Sequence, residues 1–139
     1  MDISKASVTA IHGLVYLANN GNGSPLDVGE IARELGIPQG YLAKVFQQIS
    51  KARLVYSVRG PQGGYLLANT PENINLLDIV EAIDGPIVTG RCQLGPGNQC
   101  PHFDRCKIRR QLDSIKQQTR ELYKSITLDS FRKQFRKGL

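Results

Sequence analysis

The chain has no apolar run near the roughly 20 residues that a bilayer-spanning helix needs, and no signal-peptide pattern opens it. The expected location is cytoplasmic, with no membrane partner. Hydrophobic residues make up 40% of the chain and charged residues 22%. The low hydrophobicity and high net charge that wholesale disorder requires are therefore missing. There is no nucleophile–base constellation, phosphate-binding loop or nucleotide fingerprint, so an enzyme is not expected. Cysteine is scarce as well. Three cysteines cannot all pair, and a reducing cytosol disfavours disulfides in any case. Metal binding, redox sensing or simple burial remain for them. Acidic side chains are missing from one long stretch: between Leu35 and Pro71 there are none, while Lys44, Lys51, Arg53 and Arg59 all fall inside it. Four cations without an anion suit a phosphate backbone, the alternative being a chance cluster on a solvated face.

The length of 139 residues fits one domain with an appended element. The net charge of +6 is unevenly placed, because residues 1–106 carry eight Lys/Arg against nine Asp/Glu and residues 107–139 carry ten against three. Ser4 is suited to cap a first helix bearing Ile11, Leu14, Val15 and Ala18, which ends near Asn19-Asn20-Gly21. The segment from Leu26 to Phe46 is the most informative. Asp27 caps a short helix that Gly36 ends, and Gln39 to about Ala52 reads as a second helix with Leu42, Val45, Phe46 and Ile49 on one face. Ala32 provides a small residue where the helices cross. Gly36, four residues on, is free to take positive φ, and Leu42 follows six residues later. That is the spacing of a DNA-binding helix-turn-helix, although any αα-hairpin shares part of it.

Two β-prone runs follow, Leu54–Val58 and Tyr65–Ala68, joined by Arg59-Gly60-Pro61-Gln62-Gly63-Gly64. A hairpin directly after such a helix is the wing of a winged helix. Arg59 at its tip suits a phosphate or the narrow minor groove, and Gly63 and Gly64 would let backbone approach DNA. Thr70–Asn73 is a turn, and Asn75 is placed to cap a packing helix with Leu76, Ile79, Val80 and Ile83. The expected DNA contacts are Gln39, Gly40, Tyr41, Ala43 and Lys44 for base readout, Lys44, Lys51 and Arg59 for phosphates, and Gly60, Gln62 and Gly63 in the wing.

From Pro86 to Cys106 periodicity vanishes, and the stretch holds all three cysteines, Cys92, Cys100 and Cys106. A long loop of this kind in a compact domain is usually functional or disordered, and organisation around a metal would account for it. The spacing Cys-x7-Cys-x5-Cys is poor for zinc, which prefers close cysteine pairs and four ligands. Soft thiolates in a Gly/Pro-rich loop can wrap an iron–sulfur cluster, and free redox-active thiols are the other reading. Beyond the loop, Ile108, Leu112, Ile115, Thr119, Leu122 and Ile126 alternate spacings of four and three. This a/d seam must bury itself against a symmetry mate or back on its own domain. Thr127 is suited to cap a last short turn containing Leu128 and Phe131.

These parts resemble a family of winged-helix regulators that includes the iron–sulfur regulator IscR, the nitric-oxide sensor NsrR, the iron regulator RirA and the cluster-free CymR. The resemblance rests on Ile31-Ala32 through Leu42, on Val58-Arg59-Gly60-Pro61-Gln62-Gly63-Gly64-Tyr65, and on the three-cysteine loop before the last long helix. It implies a homodimer that binds palindromic double-stranded promoter DNA, with the recognition helix in the major groove and the wing in the minor groove. It also implies Cys92, Cys100 and Cys106 as cluster ligands. IscR-like members place a fourth ligand, a histidine, three residues after the last cysteine, where this chain has Arg109. NsrR-like members use an aspartate near position 8 of the partner chain, where this one has Val8. The fourth ligand is left to His102 or His12, with Asp104 a weaker candidate. The seven-residue gap between the first two cysteines looks like RirA-type members and favours a 4Fe-4S over a 2Fe-2S cluster.

The expected fold class is mainly α with a small β-hairpin, a winged helix-turn-helix plus a long C-terminal dimerisation helix. The expected organisation is a DNA-binding domain over 1–86, a cluster-binding loop over 87–106, a dimerisation helix over 107–127 and a short basic tail over 128–139. The expected function is a transcription regulator, a repressor, that senses iron–sulfur status, redox state or nitric oxide. A cluster-free thiol sensor of the same fold is the alternative.

Overall fold

The computed structural model describes residues 2–88 and 100–135. Helix α1 (Lys5–Asn20) starts where Ser4 accepts the Ser7 N–H at 3.1 Å, which satisfies one of the unpaired amides at a helix start. Helix α2 (Val28–Leu35) is capped by Asp27 and ends at Gly36, which takes φ 66°. That left-handed turn lets the Ile37 N–H reach the Ala32 carbonyl at 2.9 Å. Helix α3 (Gln39–Lys51) then crosses α2. The expected two helices and glycine turn are thus present with the expected caps.

Strands β1 (Val55–Val58) and β2 (Gly64–Leu67) pair antiparallel, with Val55 opposite Leu67 and Val58 opposite Gly64. Leu26 adds a bridge to the outer edge of β2, exchanging backbone hydrogen bonds with Tyr65 at 2.8 and 3.0 Å. The wing is therefore anchored to the residue just before α2. A single 3-10 turn (Pro71–Asn73) leads into α4 (Leu76–Asp84), which Asn75 caps through the Asp78 N–H at 2.9 Å.

The core lies where α1, α3 and α4 meet, with Leu14, Leu42, Phe46, Ile49 and Ile79 fully buried. Glycine at position 13 is required by that packing. A Cβ there would lie 2.7 Å from Cε2 of Phe46. Phe46 in turn meets the wing residue Tyr65, ring centroids 4.9 Å apart, so the recognition-helix position and the hairpin share one apolar contact.

Helix α5 (Lys107–Ser125) packs on α4, and α6 (Leu128–Phe135) packs on α1. Here the structure departs from the sequence expectation. Residues 128–135 form a helix and not a turn followed by a basic tail. The physical reason is a tertiary one: Leu128 is fully buried in the core, and the segment before it is held by a bridge between Thr127 and Asn75. Two backbone hydrogen bonds of 2.8 Å, Leu76 N–H to Ile126 and Leu128 N–H to Ile74, complete that join.

A second tie closes the other end of α4. Asp84 Oδ2 accepts the hydroxyl of fully buried Ser7 at 2.7 Å and the Ser4 N–H at 3.3 Å. Partial burial pushes the Asp84 carboxyl up, but the hydrogen bonds from Ser4 and Ser7 outweigh it and hold the group below the usual carboxylate range. A carboxyl depressed in the folded state stabilises the protein above its unfolded pKa, and that contribution is lost as pH falls through the folded value. Asp84→Asn is therefore expected to flatten the stability loss below pH ~4, while leaving the neutral-pH profile shape unchanged. Urea midpoints at several pH values check it. An equally steep acid limb in the variant would refute the assignment.

Candidate nucleic-acid interface and cysteine turn

The buried face of α3 carries Leu42, Val45, Phe46 and Ile49, which forces the opposite face outward. Of the residues expected to contact DNA, Gln39, Gly40, Lys44 and Lys51 are exposed and Tyr41 and Ala43 are half-buried. The helix opens at Pro38 with no side-chain cap, so no capping side chain takes up its first amides. Gly40 has nothing within 4 Å of where a Cβ would sit. The side chain of Gln39 leans over the start of α2. A Cβ on Gly29 would come within 3.2 Å of Gln39 Nε2.

Gln47 was not expected from the sequence but belongs to the same surface. It is exposed and sits three residues after Lys44 and four before Lys51, on the stripe that begins with Gly40. The signal was the helical period itself. Lys5 is a second addition, its Nζ 6.0 Å from the centre of the Tyr41 ring, which brings a cation of α1 to the leading edge of α3.

In the wing, Arg59, Gly60 and Gln62 are exposed, as expected. Gly63 has a different reason for being glycine. A Cβ there would run into the Val58 and Gly60 carbonyl oxygens, and its own N–H closes the turn on Gly60 at 3.0 Å. The tight turn alone demands glycine at 63.

Cys100 and Cys106 are half-buried, unbridged thiols on either side of a 3-10 turn, Phe103–Arg105. Cys92 lies outside the described residues. Cys106 is the N-cap of α5, its Sγ accepting the Arg109 N–H at 3.3 Å. An amide donated to sulfur is the contact by which proteins tune thiolate-bound iron. The described donors are thus soft and partly accessible, with Cys106 hydrogen-bonded, and they fit a thiolate-ligated group. Among the described residues no three metal-binding side chains converge. His102 is exposed at the start of the turn, Asp104 is exposed within it, and His12 is exposed on α1. Arg109 does not point away from the turn. Its Nε donates to the Phe103 carbonyl at 3.1 Å.

The cysteine turn is joined to the DNA-binding half through α5. Arg120 of α5 and Glu81 of α4 form a partly buried ion pair at 2.7 Å. Along α5, Ile108, Ile115 and Leu122 are 72%, 50% and 59% exposed, while Leu112, Thr119 and Ile126 are half-buried. No helix among the described residues is long and apolar enough to cross a membrane.

A helix-turn-helix followed by an anchored hairpin defines a winged-helix, DNA-binding transcription regulator. The family model of Rrf2, described as iron-dependent transcriptional regulators, matches residues 3–134. The chain belongs to the Rrf2 family. It is 36% identical over 121 residues to an Aquifex aeolicus protein named as a helix-turn-helix-type transcriptional regulator, covering 86% of this chain and 83% of that one. It is 35% identical over 97 residues to Escherichia coli IscR, covering 70% of this chain and 59% of IscR. Among solved structures, CymR, the global cysteine regulator of B. subtilis, superposes with a TM-score of 0.77 at 25% identity, over 96% of this chain and 98% of that one. T. potens IscR gives 0.72 at 28% identity, over 96% and 88%. The family and these relatives are transcription regulators and not enzymes.

Proposed function

We propose that this protein is a homodimeric repressor that binds a palindromic promoter site and senses iron–sulfur status, redox state or nitric oxide through a cluster held by Cys92, Cys100 and Cys106. The observation that carries the sensing half is the cysteine turn itself. Of two half-buried thiols flanking one short turn, Cys106 caps the helix, α5, that is pinned to the DNA-binding half by the Arg120–Glu81 pair. An iron–sulfur cluster, when bound, supplies a centre whose ligation changes on oxidation, nitrosylation or loss. The chain's own residues do the rest. Cys106 sets where α5 begins and the turn joins it to Cys100, Arg120 passes a shift of α5 to α4, and α4 packs on α3. On α3, Gln39, Tyr41, Lys44 and Gln47 face base edges, and Lys51 and wing Arg59 meet phosphates. The exposed a positions of α5, Ile108, Ile115 and Leu122, are the surface a second copy would cover.

The structural likeness to CymR favours one competing reading, in which the same thiols act without a cluster through sulfenate or disulfide chemistry. The two are separated by an anaerobic absorption spectrum with iron and sulfide determined on the same sample. A visible chromophore with stoichiometric sulfide is the expected result, and its iron count distinguishes a 4Fe-4S from a 2Fe-2S centre. A colourless protein after anaerobic reconstitution would hand the cysteines to thiol sensing. Gel shifts of holo, apo and oxidised forms on one operator are expected to differ, and equal binding would remove the switch from either reading.

A further inference from the structure

We propose that Arg109 is the positioning residue of the cysteine turn, locking the backbone between Cys100 and Cys106 into a ligand-ready arrangement. This rests on the cluster reading above. Arg109 makes several contacts with one short segment. Its backbone N–H is donated to Cys106 Sγ at 3.3 Å, and its Nε–H to the Phe103 carbonyl at 3.1 Å. Its guanidinium carbon lies over the Phe103 ring, 3.9 Å from the ring centre, and its terminal nitrogen reaches Asp113 Oδ2 at 3.5 Å. The next residue, Arg110, donates to the Asp104 carbonyl at 3.0 Å. The turn itself closes through Phe103 N–H to Cys100 and Arg105 N–H to His102, both at 3.1 Å.

The chemistry of the guanidinium explains why arginine is needed. A planar, delocalised cation can stack on an aromatic face while its edge donates in a fixed direction. The stack sets the plane of the Phe103 ring, and the Nε–H sets the direction of the carbonyl beside it. Together they tie the middle of the Cys100–Cys106 segment to the first turn of α5, and Cys106 caps that same turn. The two thiols are therefore held relative to one another by a side chain that does not ligate. Lysine would keep the charge but lose both the plane and the fixed fork. Beside a thiolate-ligated centre the fixed cation also favours the more negative, reduced state.

The test uses the full-length chain in two forms. In the apo protein, alkylation of Cys100 and Cys106 by iodoacetamide, followed by mass spectrometry, is expected to speed up about fivefold in Arg109→Ala. Arg109→Lys is expected to match Arg109→Ala, and Phe103→Leu, which keeps the backbone carbonyl but loses the stack, to fall between them and the wild type. In the anaerobically reconstituted protein, the chromophore of Arg109→Ala and Arg109→Lys is expected to bleach in air several-fold faster than wild type. The midpoint potential is expected to move to more negative values in Arg109→Ala alone, because lysine keeps the cation. Unchanged alkylation in a folded Arg109→Ala, or full rescue by lysine in alkylation and bleaching, would overturn the proposal. A wild type that takes up no iron and sulfide would instead defeat the cluster reading, and the alkylation series would still decide whether Arg109 holds the turn.

Discussion

Gly64→Ala is expected to unseat the wing while leaving the helical core folded. A Cβ at this position would sit 2.2 Å from the Leu26 carbonyl oxygen, 2.3 Å from its carbon and 2.8 Å from the Asp27 nitrogen. All three are backbone atoms, so no side-chain rotation relieves the clash. The residue also holds φ 150°, which adds strain of about 1–3 kcal/mol for an L side chain. The clash is removed only if β2 moves off Leu26, and that breaks both hydrogen bonds between Tyr65 and Leu26. A loss of about 3 kcal/mol is expected in urea unfolding. The effect on DNA should be larger than stability alone implies. The wing presents Arg59, and its position relative to α2 and α3 depends on the Leu26 bridge and the Tyr65–Phe46 ring contact. On the proposed reading, operator affinity measured by fluorescence anisotropy should fall at least about tenfold at moderate salt. Gly60→Ala is the control, since its φ of 114° is strained but nothing lies within 4 Å of the added atom. It should cost stability without displacing β2. Wild-type affinity in a destabilised Gly64→Ala would mean the wing does not hold DNA.

The elements that were legible in the sequence are those whose cause is local. Ser4, Asp27 and Asn75 cap helices because a short polar side chain reaches back to an amide two or three residues on. Gly36 ends α2 because only its backbone takes the turn cheaply. The buried stripe of α3 follows from helical period alone. What was not legible depends on parts of the chain brought together only by folding. Gly64 reads as turn chemistry, yet its true constraint is the carbonyl of Leu26 across the sheet edge. Cys106 reads as a ligand, and nothing in capping preferences marks it as the start of α5. Arg109 reads as a missing histidine, because the sequence cannot say that Phe103 lies beneath it. The segment 128–139 reads as a short turn in a basic tail because Arg132, Lys133, Arg136 and Lys137 crowd its second half. Its fate is decided by one buried leucine and a bridge to residues far up the chain.

That leucine carries the second large effect. Leu128→Ala should destabilise the protein by about 2–5 kcal/mol, the range for emptying a fully buried leucine site. If residues 128–135 were a tail, the cost would be near zero, so thermal or urea unfolding separates the two descriptions. The consequence should also reach function. Leu128 seals the join in which Ile74, Leu76 and Ile126 exchange backbone hydrogen bonds, and this join fixes the C-terminal end of α5 to the start of α4. With it loosened, the Arg120–Glu81 pair still ties α5 to α4, but an ion pair that is partly exposed holds two helices weakly. Movement at the cysteine turn would then be absorbed at the α5–α6 junction and not passed to α3. The difference in operator binding between holo and apo protein is therefore expected to shrink in Leu128→Ala, even at temperatures where the chain stays folded. Leu122→Ala provides the contrast, because its side chain is exposed in the single chain. It should leave unfolding at low protein concentration nearly unchanged and weaken self-association in sedimentation equilibrium. Were Leu122→Ala to destabilise a dilute monomer as much as Leu128→Ala, the seam of α5 would be packing on its own chain and the dimer surface would have to lie elsewhere.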